Sequence, residues 1–213
     1  RQFVYRYRNS CVTQDMIVYR DSKRIDFKTV VDWKESHRLL KTAFYTDIRA
    51  VKATYDIQYG HVERPTHWNT SWDWARFEVC GHKWADLSET GYGVSLLNDC
   101  KYGYSIKDHD IKLSLLKSAK NPDLKADMGE HTFTYALFAH EGMVTESGVI
   151  EEANRFNMPA DVVQGKWKDQ RKLVTINNSC IQIDTVKKAE DEACLIVRMH
   201  ECKGCLLYTS PSP

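Results

Sequence analysis

The stretch ERPTHWNTSWDWARFEVCGHKWADLSE, Glu63 to Glu89, sets Arg64, His67, Asp73, His82 and Asp86 beside four of the chain's six tryptophans. Several kinds of chemistry draw on such a set. Glycoside hydrolysis uses two carboxyl groups flanking the scissile bond, and Asp73, Asp86, Glu89 and Asp99 are the carboxylates at hand. Their spacing places no two face to face, and salt bridges or turn hydrogen bonds account for them more simply. His61, His67 and His82 are metal-ligand types on strand and loop segments, where hydrogen-bonded structural histidines are the simpler reading. Cys202-Lys-Gly-Cys205 has the spacing of half a zinc site, but no second pair of ligands follows. There is no GxSxG elbow, no base placed by motif near Cys80 or Cys100, and no glycine-rich phosphate loop. Trp68, Trp72, Trp74 and Trp84 have the flat faces that stack on pyranose rings. In an extended stretch, however, Trp72 and Trp74 share one face that Phe77 and Val79 continue, so core or interface packing is expected for most of them.

The elements that would position these residues read as strands. Phe3–Tyr7, Met16–Arg20, Arg24–Trp33, Leu39–Tyr45 and Ala50–Tyr59 are rich in β-branched and aromatic residues. In RIDFKTVVDW, Ile25, Phe27, Thr29 and Val31 take one face, while Asp26, Lys28 and Asp32 take the other. In AVKATYDIQY, Val51, Ala53, Tyr55, Ile57 and Tyr59 alternate with polar residues, which predicts a strand with one wet face. Further strands are predicted at Arg76–His82, Gly93–Leu97, Ile111–Leu116, His131–Ala139, Leu173–Thr175, Ile181–Val186 and Leu195–His200. One short helix is predicted over about Thr145 to Asn157, with Ser147 as its cap and Glu151 in its first turn. Many strands joined by short turns predict an all-β, antiparallel sandwich, one domain with a subdivision near Met158-Pro159.

Composition narrows the partners. The chain has 213 residues, with 30 Lys+Arg against 29 Asp+Glu and a formal net charge of +1, which provides no electrostatic footprint for nucleic acid or an anionic membrane. No apolar run is long enough for a membrane helix, and Arg1-Gln2-Phe3-Val4 opens no signal peptide. Seven irregularly spaced cysteines read as reduced thiols of a cytoplasmic protein. The tail CLLYTSPSP, Cys205 to Pro213, resembles translated sequencing adapter and is set apart from residues 1–204, as is Arg1-Gln2.

The long motifs YGHVERPTHWNTSWDWARFEVCGHKWADLSE and GYGVSLLNDCKYGY resemble the C-terminal region of glycoside hydrolase family 38 α-mannosidases. RIDFKTVVDWKESHRLLK, LSLLKSAKNPD, HTFTYALFAH and CIQIDTVKKAEDE support the resemblance. It runs from about Phe3 to Gly204 and points to the cytosolic and bacterial branch. It implies a large β-sandwich like the galactose-mutarotase supersandwich, in a fragment truncated at both ends. Whole enzymes of this family release terminal α-linked mannose with retention. In them an N-terminal α/β domain carries the nucleophile and a catalytic zinc, so no catalytic or metal residue is expected in this chain. The resemblance implies that the loop LLNDCKYGY helps close the sugar site, with Asn98, Asp99 and Tyr102 as candidate contacts. Arg64 and His67 are weaker candidates for lining the interface with the catalytic domain. An ordinary polar turn at Asn98-Asp99 accounts for that loop equally well. The expected partners are a mannose-containing oligosaccharide and the N-terminal catalytic domain of the same chain, with no nucleic acid, no membrane and self-association left open. The alternative reading is a stand-alone carbohydrate-binding module.

Overall fold

A computed structural model describes residues 1–166 and 174–206, and it resolves into two compact units. The first comprises 1–56 and 62–159; the second comprises 57–61 and the residues from 160 onward. In chain order the strands and helices are β1 (Gln2–Tyr7), β2 (Ser10–Val18), β3 (Arg24–Trp33), β4 (Leu39–Tyr45), β5 (Lys52–Ile57), β6 (Gly60–Pro65), α1 (Ser71–Ala75), β7 (Val79–Cys80), β8 (Trp84–Glu89), β9 (Tyr92–Asn98), β10 (Gly103–Lys107), β11 (Asp110–Lys117), β12 (Gly129–His140), α2 (Val149–Asn157), β13 (Ile181–Lys188) and β14 (Leu195–Glu201). The fold is all-β. An eight-stranded sheet has the order β1-β2-β3-β12-β9-β8-β5-β6, and a four-stranded sheet the order β4-β11-β10-β7.

Period-2 alternation decides which side chains meet. Val31 and Trp33 of β3, Ala53 and Tyr55 of β5, Ala85 and Leu87 of β8, Leu96 of β9 and Phe133 and Tyr135 of β12 form one face of the large sheet. They pack against Tyr104, Ile106, Ile111 and Leu113 of the small one, and this layer is the sandwich core. The opposite face of the large sheet is also dry near its centre. There Trp84, Leu97 and Ala136 are buried, as are Val149, Ile150 and Ala153 of α2. Arg24 fixes α2 to the sheet. Its guanidinium grips Asp26 through two bonds of 2.6 and 3.0 Å and reaches Glu152 of the helix at 2.8 Å. This explains why Asp26, on the polar side of the β3 pattern, is buried.

Several expectations are corrected. The segment 50–59 is not one strand: it turns at Tyr59 and Gly60 into the hairpin β5–β6, leaving Val51 and Tyr59 exposed. Arg76–His82 is not a strand either. Thr70 and Asp73 close a reciprocal capping box, each satisfying the other's backbone N–H, and so fold the tryptophan-rich segment into the one-turn helix α1. Only the two residues of β7 remain extended there. As a result Trp72 and Trp74 are 75% and 64% exposed, not packed, whereas Trp84 is 2% exposed. There are two helices among the described residues, and α2 begins at Val149 behind Gly148, whose φ of 78° suits glycine. Ser147 donates to the Val144 carbonyl and does not cap the helix. Val174 and Thr175 belong to no strand, while Leu173 and the basic pair Arg171-Lys172 lie outside the described residues.

In the second unit β13 and β14 form an antiparallel hairpin, with a 2.9 Å contact between Asp184 and His200 and the Tyr59 ring edge-on to His200. Cys180 and Cys205 form a disulfide where reduced thiols were expected, and Cys205 is the first residue of the tail set apart above. Cys11, Cys80, Cys100, Cys194 and Cys202 take part in no disulfide. No helix among the described residues is long and apolar enough to cross a membrane.

Candidate functional site: the loop between β9 and β10

Residues 99–102 connect two adjacent strand ends, and the loop is held from beneath by Asn98. The Asn98 side chain is buried, donating to the His82 carbonyl at 2.7 Å and to the Tyr104 hydroxyl, while its Oδ1 accepts the Lys101 backbone N–H at 2.5 Å. Its own carbonyl accepts from Asn157 of α2 at 3.0 Å. Every polar group of Asn98 is thus committed inward, and the residue positions the loop. Tyr104 lies fully inside, where burial pushes its phenol pKa well up and keeps it a neutral hydrogen-bonding group. Its ring leaves no room at Gly81, where a Cβ would come within 2.9 Å of Cδ2.

Asp99 and Tyr102 face outward. Asp99 Oδ2 accepts the Thr134 N–H at 2.8 Å, and Tyr102 meets the His82 ring edge-on at 5.6 Å. Together with His82, Lys83, Asn98 and Asn157 they border a surface cavity of about 370 Å³, large enough for a sugar ring. Lys83 extends to Asn154 of α2 at 2.7 Å, so the helix that Arg24 secures also buttresses this cavity. His82, Lys83 and Asn157 were not singled out as loop-site residues. The only sequence signal for the first two was their proximity to the tryptophans; Asn157, distant in sequence, had none.

Arg64 and His67 are not brought to this loop. Arg64 lies over the Tyr55 ring at 4.7 Å, and His67 Nδ1 sits 3.6 Å from Asp73 Oδ2. They border a separate cavity of about 20 Å³ with Trp68, Asp73 and Phe77. That is room for about one water, and the buried Arg64 Nη1, without a protein partner, suits one.

Within the loop, burial and the neighbouring Asp99 carboxylate push the Cys100 thiol from about 9 to about 11. A raised pKa means less thiolate, the reactive form, so at pH 8 its thiolate fraction is roughly a hundredfold below that of an ordinary thiol. Timed iodoacetamide labelling read by peptide mass should find Cys100 slower than Cys80 and Cys194, which are likewise exposed. Labelling at the rate of a free cysteine peptide would contradict the loop geometry.

Asp86, by contrast, is an interior group. Its carboxylate receives Ser95 at 2.5 Å, Ser88, and His140 Nε2 at 2.8 Å, all four residues being buried. Both serines and the histidine converge on the aspartate, and neither serine is hydrogen-bonded to the histidine. The arrangement is a packing device, not a hydrolytic triad.

Among the described residues one trio of metal-ligand side chains converges, Cys180, Glu201 and Cys205. It does not fit a zinc site: the two sulfurs are bonded to each other, and Glu201 accepts the Lys203 and Gly204 N–H groups.

The β-sandwich carries a cavity built on one inter-strand loop, and its relatives show the family. The profile of the glycosyl hydrolases family 38 C-terminal domain matches residues 2–125. Alpha-mannosidase G of Dictyostelium discoideum is 49% identical over 203 residues, covering 92% of this chain and 19% of its own length. Human alpha-mannosidase 2C1 is 41% identical over 216 residues, covering 95% and 20%. The crystal structure of an alpha-mannosidase from Enterococcus faecalis V583 superposes with a TM-score of 0.77 at 19% identity, over 89% of this chain and 23% of that one, and so shares the fold. The chain belongs to the glycoside hydrolase family 38 C-terminal domain family. It spans about a fifth of the length of the curated relatives it matches.

Proposed function

We propose that this chain is the C-terminal sandwich of a cytoplasmic, retaining α-mannosidase and completes the site that holds the terminal mannose of an oligosaccharide. The observation carrying the reading is the β9–β10 loop. Asn98 anchors it by four hydrogen bonds, and the outward Asp99 and Tyr102 border a cavity of sugar size. Loops held this rigidly contribute recognition without the entropic cost of ordering on binding. In this reading the nucleophile belongs to the preceding catalytic domain, as does a zinc ion that would polarise the sugar hydroxyls. The sandwich supplies hydrogen bonds to the mannose: Asp99 accepts from a hydroxyl, and Tyr102 offers its ring and phenol.

The test is hydrolysis of an aryl α-mannoside by the chain alone and by a hybrid in which the chain replaces the segment of the Dictyostelium relative that it matches. The expected result is no turnover by the chain alone and turnover by the hybrid. Asp99→Ala with Tyr102→Ala should then raise the hybrid's KM about tenfold, the loss of one or two hydrogen bonds to substrate. Turnover by the chain alone, or an active hybrid indifferent to the double substitution, would refute this role.

A further inference from the structure

Helix α1 lies mid-chain, between β6 and β7, and none of its residues is buried. Trp72, Trp74 and Phe77, on the helix and just past it, are 75%, 64% and 62% exposed. Single exposed apolar side chains are ordinary on a protein surface, but three large rings on one turn are not. The turn is also fixed in place. Thr70 and Asp73 cap one another, the Trp74 N–H donates to the Thr70 carbonyl at 2.9 Å, and the Arg76 N–H donates to the Asp73 carbonyl at 3.1 Å. Ahead of it in the chain, Trp68 carries the Lys107 ammonium at 4.0 Å, and the buried Thr66 donates to the Ala50 carbonyl at 2.6 Å. Local hydrogen bonds thus hold the rings outward, and folding them back onto the sandwich would break the capping box.

We propose that the α1 turn is the face on which the remainder of an α-mannosidase polypeptide docks, a role that rests on the reading of this chain as one part of such an enzyme. The exposed residues Trp72, Trp74, Arg76 and Phe77 are of the types enriched at the centres of protein interfaces. A sugar platform would set hydrogen-bonding carboxylates or amides beside its rings. Here the one carboxylate of the turn points inward: Asp73 accepts the Thr70 N–H at 3.2 Å and the Thr70 hydroxyl at 2.8 Å, and its side chain is 13% exposed. Area decides between a tethered and a separate partner. At about two-thirds exposure, three rings of about 150–250 Å² each offer roughly 300–500 Å². A separate molecule, a second copy of this chain included, needs about 800 Å² on each side. A tethered domain needs less, because inter-domain interfaces bury about 600–1,500 Å² over both sides and the tether supplies an effective concentration of order mM. The segments matched in the Dictyostelium and human relatives are 19% and 20% of their lengths, so most of each relative is covalently attached partner surface.

Hydroxyl-radical footprinting read by peptide mass, on the 213-residue chain alone and on the hybrid with the Dictyostelium relative, tests it. Trp72 and Trp74 should oxidise readily in the chain alone and severalfold more slowly in the hybrid. Trp84, 2% exposed, should stay slow in both and so report that the sandwich is folded. A hybrid built on the human relative serves where the first does not fold. Trp72→Ala with Trp74→Ala should leave the thermal midpoint of the chain alone unchanged and lower that of the hybrid by several degrees. Equal oxidation in chain and hybrid, or a hybrid midpoint indifferent to the double substitution, would overturn the proposal. So would a dimer of the chain alone, seen by sedimentation, that the double substitution splits, or protection of the two rings in the chain alone by α-1,2-mannotetraose. Footprint and turnover separate this docking from the sugar-site reading: protection in a hybrid whose turnover ignores Asp99→Ala with Tyr102→Ala keeps the docking and refutes the sugar role, and turnover without protection refutes the docking.

Discussion

Asp86→Ala should lower the unfolding free energy of the sandwich unit by about 3–5 kcal/mol, the range for removing one partner of a buried charged cluster. The effect is large because three donors depend on one carboxylate. Without it, the Ser88 and Ser95 hydroxyls and His140 Nε2 lose their shared acceptor inside the protein. His140 Nδ1 is already buried without a partner, so the imidazole cannot turn to another bond at no cost. Nor can water readily enter. Gly93 is packed so closely that a Cβ there would come within 2.3 Å of His140 Cε1 and 2.4 Å of Ser88 Oγ. Asp86→Asn, which keeps one oxygen acceptor, should cost distinctly less than the alanine. Urea unfolding followed by tryptophan fluorescence measures both; a loss under about 1 kcal/mol for the alanine would mean that the cluster does not hold the sheet.

The second large effect is expected at Trp84. Truncation to alanine should cost about 3–5 kcal/mol, as for other large aromatic side chains removed from a packed interior. Trp84 opposes Leu97 on the face of the large sheet where α2 lies, and both are buried. Its removal opens a void in the layer where Asn154 and Asn157 hold Lys83 and the loop at Asn98. Trp72→Ala and Trp74→Ala, seated on the exposed α1 turn, should stay within about 0.5 kcal/mol of the parent. Equal losses at all three tryptophans would contradict the helical reading of α1.

This contrast shows where sequence reading reached its limit. The four tryptophans look alike in a list, and alternation assigns Trp72 and Trp74 to one buried face. The capping box of Thr70 and Asp73 overrides that pattern, because two satisfied backbone donors outweigh a strand preference in a segment too short to pair. Strand β8 went unread for a related reason. WADLSE is buried on both faces, with Asp86 and Ser88 dry because they pair with Ser95 and His140. A strand covered on both sides has lost the wet–dry alternation by which half-exposed strands announce themselves.

The sequence by itself determined the all-β class, the positions of strands such as β3 and β12, and the family, since local patterning and long motifs are carried by neighbouring residues. It also singled out the β9–β10 loop. Only the tertiary structure decided that Asn98 points inward while Asp99 and Tyr102 face out, and that Arg64 and His67 border a water-sized cavity elsewhere. Those outcomes depend on contacts between residues tens of positions apart, such as Asn157 with Asn98. Sheet pairing and helix docking create such contacts, and local spacing carries no record of them.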